Sequence, residues 1–275
     1  MAGAAAMKAL VACMAVGAFA PTIGAFLVQK RLSLIGDGVG HVAYAGVGLG
    51  LLAGIWPVWT ALVFAVGGAV GVELLRSKRR AGGDLALALF FYAGLALGAV
   101  FVTKAGLEAD LETLPYLFGD PLTVTTTGLV AIVVVGGAVA LGVWSLRRVL
   151  FATVSDEDWS RVAGLPVDLL NVTLAGLTAA VIVAGMRIVG LLLVAALMVL
   201  PVASAQLLAR SFRGTVGLAA AIGAASAALG LAIAHLLHLE RGGASGVIVL
   251  VAAAVFTATS LIERKTPATV QAEGP

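Results

Sequence analysis

Nine apolar stretches of roughly membrane-spanning length dominate this chain. A transmembrane helix needs about 20 consecutive apolar residues. Cutting the sequence at charged residues and at Pro or Gly turns leaves nine stretches near that length, the sixth of them short, so that eight spans are the alternative count. They lie near residues 8–28, 40–56, 58–75, 85–103, 124–146, 169–185, 188–208, 215–237 and 244–262. The pattern predicts a multi-pass membrane protein.

The composition decides between helices and a β-barrel. Of the 275 residues, 61% are hydrophobic and 11% are charged, whereas about a quarter of the residues in a soluble domain are charged. Small residues are abundant and aromatic residues are few, which favours closely packed helices over a barrel with aromatic girdles. We predict an all-α transmembrane helical bundle, a single domain over residues 1–265, with a disordered tail at 266–275. Nothing indicates nucleic-acid binding, and the single Cys13 excludes an intrachain disulfide.

The basic residues predict the orientation in the membrane. If the N-terminus is outside and the C-terminus inside, the cytoplasmic loops contain most of the Lys and Arg residues, as the positive-inside rule requires. Only Lys8, Lys104, Arg187 and Arg241 fall on the other side. The first stretch could also be read as a signal peptide with a small-residue site at Ala18 to Ala20, but cleavage there would leave the basic pair before the second span outside.

Asp37 and His41 are the most unusual residues of the second span. At positions i and i+4 they share one face of a helix, and the glycines around them allow neighbouring helices to approach closely. An aspartate in hydrocarbon needs a partner or a water-filled cavity. Oxygen and nitrogen ligands suit zinc, manganese or ferrous iron. Two interpretations stay open: a metal site, or a helix cap by Asp37 with His41 at the membrane interface.

A second group of possible ligands lies near the outer end of the eighth span. His235 and His238 are three residues apart, and Glu240 follows them. Together they could bind a metal at the outer mouth of a transport path. Histidines at a membrane boundary are also common without any ligand role, so these three residues are weaker candidates than Asp37 and His41.

The longest polar stretch, residues 151–171, predicts a short cytoplasmic helix. Asp156, Glu157 and Asp158 follow Ser155 as a cap and an acidic first turn, and Gly164 ends the helix near Ala163. The helix is either a solvated loop or a docking surface for a partner, which Trp159 and Val162 would contact. No Gly-Lys dipeptide occurs anywhere in the chain, so no P-loop is present and any ATP must be hydrolysed by another chain.

Several stretches together resemble the permease subunit of the bacterial zinc/manganese ABC importers. The two most specific are "QKRLSLIGDGVGHVAYAGVGLG" and "RIVGLLLVAALMVLPVASAQLLA", and the resemblance extends from about Leu10 to Ile262. One departure is that the family usually has an aspartate and a Leu-Pro-Ser-Gly turn before the last span, where this chain reads "HLLHLERGGASG". That difference puts a second ligand pair in doubt, with His238 or Glu240 as possible replacements.

The resemblance implies a function and a set of partners. It implies a homodimer in the bacterial plasma membrane, two cytoplasmic P-loop ATPase subunits and a metal-delivering solute-binding protein outside, with Asp37 and His41 in the metal path. The cargo would be a divalent metal, zinc before manganese or iron because histidine favours zinc. The segment 151–168 would contain the helix that couples to the ATPase. Its residues would be Ser155, Asp156, Glu157, Asp158, Trp159, Val162, Gly164 and Pro166.

Two other functions are compatible with the sequence. An ion-gradient-driven secondary transporter would use Asp37 as a proton carrier, although no clear internal repeat favours it. A membrane scaffold without transport activity would need only the docking segment and would tolerate replacement of Asp37 and His41.

Overall fold

The structure is a computed structural model that describes residues 2–77, 83–239 and 243–265. The described residues form α-helices joined by short turns, with one 3₁₀ turn at Pro121–Thr123 and no β-strand. The helices are α1 (Ala2–Gln29), α2 (Ile35–Ala53), α3 (Pro57–Ser77), α4 (Gly83–Ala105), α5 (Leu107–Phe118), α6 (Thr126–Ser155), α7 (Glu157–Val162), α8 (Val167–Val189), α9 (Leu191–Leu208), α10 (Phe212–Leu236) and α11 (Gly243–Lys265).

Nine of the helices in the described part of the chain are long and apolar enough to cross a membrane, which confirms the all-α, nine-span prediction. Three predicted boundaries were wrong. The first span begins at Ala2 rather than near residue 8. The second span begins at Ile35 rather than near residue 40, because the glycine-rich segment around Asp37 is already helical. The fifth continues to Ser155 rather than ending near residue 146, because Leu150 and Thr153 remain buried in the last turns of α6. Arg147 and Arg148 therefore belong to a helix and not to a loop.

Helices α1, α2, α8 and α9 form the centre of the bundle. They contribute most of the fully buried side chains, including Phe26, Ile182 and Leu197. α3 and α4 pack against α2, α6 packs against α1 and α8, and α10 and α11 pack against each other and α9. Ala18 to Ala20 lie within α1, and Ala20 is fully buried. This stretch is therefore part of the bundle core.

Two glycines hold α2 in close contact with its neighbours. A Cβ atom on Gly46 of α2 would lie 2.6 Å from the carbonyl oxygen of Thr60 on α3. A Cβ atom on Gly94 of α4 would lie 2.7 Å from the carbonyl carbon of His41. Backbones approach this closely only where small residues meet. The second span is therefore fixed between α3 and α4, with His41 directly against the α4 backbone.

Adding a methyl group at Gly94 should destabilise the bundle. We expect Gly94→Ala to cost about 1–3 kcal/mol, because the new Cβ would overlap the α2 backbone and neither helix can adjust freely. A lower midpoint of thermal unfolding in detergent would show this. Gly67→Ala on α3 is the matched control, since a Cβ there meets no atom within 4 Å. Equal unfolding midpoints for the two variants would contradict the prediction.

Candidate functional site

Asp37 and His41 lie on the first two turns of α2, and both side chains are half-buried. The imidazole Nδ1 of His41 donates a hydrogen bond to the main-chain carbonyl of Asp37 at 2.8 Å, because a carbonyl oxygen can only accept. In the neutral imidazole this bond leaves Nε2 unprotonated and able to bind a metal. The ring of His41 also contacts Phe91 of α4, with 4.2 Å between the ring centroids.

The Asp37 carboxylate opens into a groove between α2 and α4. The groove has a volume of about 240 Å³, and its lining includes Asp84, Phe91 and Tyr92. Asp37 makes no side-chain hydrogen bond or ion pair with any residue that the structure describes. The groove therefore presents two carboxylates, from Asp37 and from Asp84 in the first turn of α4. It has a negative, partly exposed surface beside an imidazole.

The alternative role for Asp37, as the cap of the second helix, is wrong. The N-cap residue of α2 is Leu34, and it makes no side-chain capping bond. Asp37 instead lies within the first turn, where a carboxylate is stabilised by the helix dipole. Its side chain remains available to other ligands.

His235 and His238 lie far from Asp37. Both are exposed at the end of α10, whose beginning at Phe212 packs against Phe26 near the end of α1. A rise of 1.5 Å per residue places His235 roughly 35 Å along α10 from that point. His238 has a left-handed backbone with φ of 55°. Glu240 falls outside the described residues, as does the tail at 266–275.

The polar segment after α6 forms a short helix, as predicted. Asp156 caps α7 by accepting a hydrogen bond from the main-chain N–H of Trp159 at 2.8 Å. Gly164, at φ of 81°, ends the helix with a left-handed turn. Trp159 and Val162 are 61% and 89% exposed, so α7 presents apolar side chains to its surroundings. Ser160, on the opposite face, is fully buried.

Glu157, the first residue of α7, connects this helix to three others. Its carboxylate accepts hydrogen bonds from Arg76 of α3 at 3.1 Å and from Asn171 of α8 at 3.2 Å. The ammonium of Lys30, just after α1, is 3.6 Å away and also donates to the Asn171 side chain. Arg76 is held in addition by the buried Glu73 at 2.8 Å. We call Lys30, Glu73, Arg76, Glu157 and Asn171 the Glu157 cluster.

Charges of the Glu157 cluster affect one another because they are partly buried. Burial opposes ionisation of Glu157, but Lys30 and Arg76 outweigh it and hold the pKa of its carboxyl below the usual range. Burial, reinforced by the charge of Arg76, lowers the pKa of Lys30. On the exposed side, Arg161 bridges Glu157 and Asp168 at 3.3 and 2.6 Å.

A tight turn joins the Glu157 cluster to the Asp37 groove. The main-chain N–H of Leu32 bonds to the carbonyl of Leu27 at 2.9 Å, and that of Arg31 to Val28 at 3.0 Å, which is a Schellman ending of α1. Arg31 occupies the left-handed position of this motif, at φ of 59°, where glycine is usual. Lys30 and Asp37 thus lie at the two ends of one short, hydrogen-bonded connection.

Sequence reasoning missed Asp84 and most of the Glu157 cluster. Glu73 carried a usable signal, because an acid inside an apolar span needs a partner and Arg76 follows three residues later. Asp84 stands just before an apolar span, but no spacing rule places it opposite Asp37. The contacts of Lys30 and Asn171 join residues 141 positions apart, which no local pattern reveals.

Comparisons with known proteins agree with this architecture. Residues 4–263 match the model of the ABC 3 transport family. The manganese transport system membrane protein MntC of Listeria monocytogenes is 30% identical over 90% of this chain and 87% of its own length. The chelated iron transport system membrane protein YfeD of Yersinia pestis is 29% identical over 93% of this chain and 84% of its own length.

A solved structure gives the same result for the fold. PsaBC from Streptococcus pneumoniae in complex with Fab superposes with a TM-score of 0.82 at 30% identity, over 94% of this chain and 93% of that chain. The relatives are permease subunits whose ATPase is a separate chain. This protein therefore belongs to the ABC 3 transport family and is a multi-pass permease of the bacterial plasma membrane, not an enzyme.

Proposed function

We propose that this permease imports a divalent transition metal and that Asp37 and His41 bind the ion in transit. The observation that carries the proposal is the Asp37 carboxylate, which opens into the α2–α4 groove and has no hydrogen-bond or ion-pair partner among the residues that the structure describes. It lies close to His41, whose Nδ1 is the ring nitrogen bonded to the main chain. A divalent ion leaving water needs nearby negative charge to offset its lost hydration. A carboxylate and a neutral imidazole provide that charge and a nitrogen ligand.

The metal site is completed by a second copy of the chain. The described residues of one protomer contain no group of three His, Cys, Asp or Glu side chains placed to hold a metal. Two protomers that share an axis would contribute two carboxylates and two imidazoles, enough for a tetrahedral site. Asp84 of each copy adds negative charge at the same groove. Such a site binds transiently, because transport requires release.

Helix α7 docks on the cytoplasmic ATPase in this proposal. Supporting it are the exposed Trp159 and Val162, and the convergence of Lys30, Arg76 and Arg161 at the same end of the bundle. The positive-inside rule assigns that end to the cytoplasm, with the N-terminus outside and the C-terminus inside. A solute-binding protein would deliver metal at the opposite end, where His235 and His238, with Glu240, remain secondary candidate ligands.

The identity of the metal is proposed from the relatives. MntC is named for manganese and YfeD for chelated iron, whereas histidine ligands alone would favour zinc. We propose manganese as the main cargo, with ferrous iron and zinc as competitors. Family membership also favours ATP-driven transport over an ion-gradient mechanism or a scaffold role.

Uptake by a reconstituted complex tests this function. The permease, its ATPase and its binding protein in proteoliposomes should accumulate manganese only when ATP is present on the ATPase side. Uptake should be measured for manganese, ferrous iron and zinc in parallel, with magnesium as the hard-cation control. Equal uptake with and without ATP, or uptake driven by a pH gradient alone, would contradict the proposal. A preference for zinc would overturn only the assignment of the metal.

A further inference from the structure

A second and larger groove lies on another face of the bundle. It has a volume of about 630 Å³ and is lined by residues of α1, α6 and α10 and the turn before α10. The groove exists because α6 and α10 both pack closely against α1, whereas among the described residues they approach each other mainly through the rings of Phe151 and Phe212. Its floor is aromatic: the ring of Phe212 lies 5.0 Å from that of Phe26 and 4.9 Å from that of Phe151.

Three arginines line this apolar groove. Arg147 and Arg148 come from α6 and Arg213 from the first turn of α10. None of the three forms an ion pair with a carboxylate in the described part of the chain, and no acidic residue lines the groove. Arg147 donates a hydrogen bond to the main-chain carbonyl of Trp144, and its guanidinium lies 4.3 Å from the centroid of the Trp144 ring. Positive charge is therefore concentrated beside the apolar surface of this groove.

The groove lies at the level where the membrane surface meets the bundle. Arg147 and Arg148 precede the end of α6 by about two turns, and Arg213 lies in the first turn of α10, so all three lie at the end of the bundle that carries the Glu157 cluster. Trp144 is 61% exposed, and tryptophan is enriched where lipid tails meet headgroups. α6 and α10 do not pack against α2 or α4 in the described structure, so this face is separate from the Asp37 groove.

We propose that this groove binds an anionic phospholipid of the cytoplasmic leaflet. The acyl chain would lie against Val143, Phe151 and Phe212, and the phosphate would be bound by the three guanidinium groups. Basic pockets between transmembrane helices on the cytoplasmic side bind anionic headgroups in this way. Guanidinium groups form charge-assisted, often bidentate bonds with phosphate oxygens. A zwitterionic lipid would bind less well because its ammonium group faces the same arginines.

Native mass spectrometry of the purified full-length chain tests this site. The probes are dioleoyl phosphatidylglycerol, dioleoyl phosphatidylcholine and glycerol 3-phosphate. We expect phosphatidylglycerol to be retained and to raise the thermal unfolding midpoint, and the other two probes to do neither. The double variant Arg148→Gln/Arg213→Gln should reduce retention of phosphatidylglycerol at least about tenfold. Arg31→Gln/Arg210→Gln removes two exposed charges outside the groove and should leave retention unchanged.

A second variant tests the apolar part of the groove. Ala140→Trp fills the groove while keeping every arginine, and it should also reduce retention of phosphatidylglycerol. Equal loss in the Arg31/Arg210 control would mean a general charge effect, and binding of glycerol 3-phosphate would mean a free anion site. Dissociation of a dimer in the Arg148/Arg213 variant would make the groove an interface between copies. Each of these three results would overturn the lipid site.

Discussion

Replacing Asp37 with asparagine should abolish metal uptake while the protein still reaches the membrane. Asparagine keeps the size and the hydrogen-bonding capacity of the side chain but removes the charge that offsets the lost hydration of the ion. Leaving a buried charge without its partner costs about 3–5 kcal/mol. Since about 1.4 kcal/mol corresponds to a factor of ten, uptake should fall at least about 100-fold. Initial rates of manganese uptake in proteoliposomes, normalised to the amount of complex, measure this effect.

Three further variants make the test specific. Asp37→Glu retains the charge and should recover part of the uptake, and His41→Gln should be nearly as damaging as Asp37→Asn because it removes Nε2. Asp84→Asn should cause a smaller loss, since Asp84 is more exposed than Asp37. Asp120→Asn, outside the groove, is the matched control and should transport normally. Normal uptake by both Asp37→Asn and His41→Gln would contradict the metal site.

Glu157→Gln should separate ATP hydrolysis from transport. The glutamine can still bond to Asn171, but the buried Lys30 and the partly buried Arg76 lose the carboxylate that they share. The connection from α7 to α1 and α3 then weakens, so the proposed docking helix would pass less of its movement to the transmembrane helices. We expect metal transported per ATP hydrolysed to fall about tenfold, equivalent to about 1.4 kcal/mol of coupling. ATP hydrolysis itself should continue.

Asp168→Asn is the matched control for Glu157→Gln. The Asp168 side chain is 67% exposed and contacts only Arg161 of this group, and exposed ion pairs contribute about 0–1 kcal/mol. Asp168→Asn should leave the amount of metal transported per ATP hydrolysed almost unchanged. Lys30→Gln combined with Glu157→Gln should show less than additive loss, because both changes break one network. If the losses of the two single variants simply added, or if Glu157→Gln transported as much metal per ATP as the unchanged protein, coupling through the Glu157 cluster would be contradicted.

The pH dependence of the Glu157 cluster follows from the direction of its pKa shift. The pKa of Glu157 is lowered in the folded protein, so the cluster stabilises the fold fully above the ordinary pKa of a glutamate. This stabilisation is lost only as the pH falls through the lowered value. Neutral and mildly acidic conditions should therefore leave coupling intact.

The sequence alone predicted the helical fold and identified Asp37 as a candidate ligand, which the structure places in the α2–α4 groove. Membrane-spanning length and low charge predicted nine helices, because in lipid every backbone polar group must be paired within the segment. The i, i+4 spacing placed Asp37 and His41 on adjacent turns, and the acids after Ser155 predicted the capped helix α7. Each of these rules depends on residues close together in the chain.

The remaining features depend on how distant helices meet. Asp84 and Asp37 line one groove because α4 lies directly against α2, where close contacts at Gly38 and Gly94 leave no room for a larger residue at Gly94. Glu157 meets Lys30 because α6 runs nine residues beyond its predicted end, which brings the first residue of α7 beside the end of α1. The arginine-lined groove exists because the backbones of α6 and α10 stay apart and only the rings of Phe151 and Phe212 bridge them. Local periodicity carries no information about any of these distances.

The glycine contacts of α2 limit which residues around the α2–α4 groove can change without disturbing the bundle. Gly46 and Gly94 meet neighbouring backbones, and a Cβ atom on Gly40 would overlap the side chain of Leu191. Enlarging Gly40 or Gly46 on α2 should therefore disturb helix packing before it can alter the groove. Phe91 and Tyr92 on α4 line the same groove with far more freedom, since Tyr92 is 67% exposed. If the groove binds the metal as proposed, variants that alter metal preference and still fold should be found at Phe91 and Tyr92 rather than at the glycines of α2.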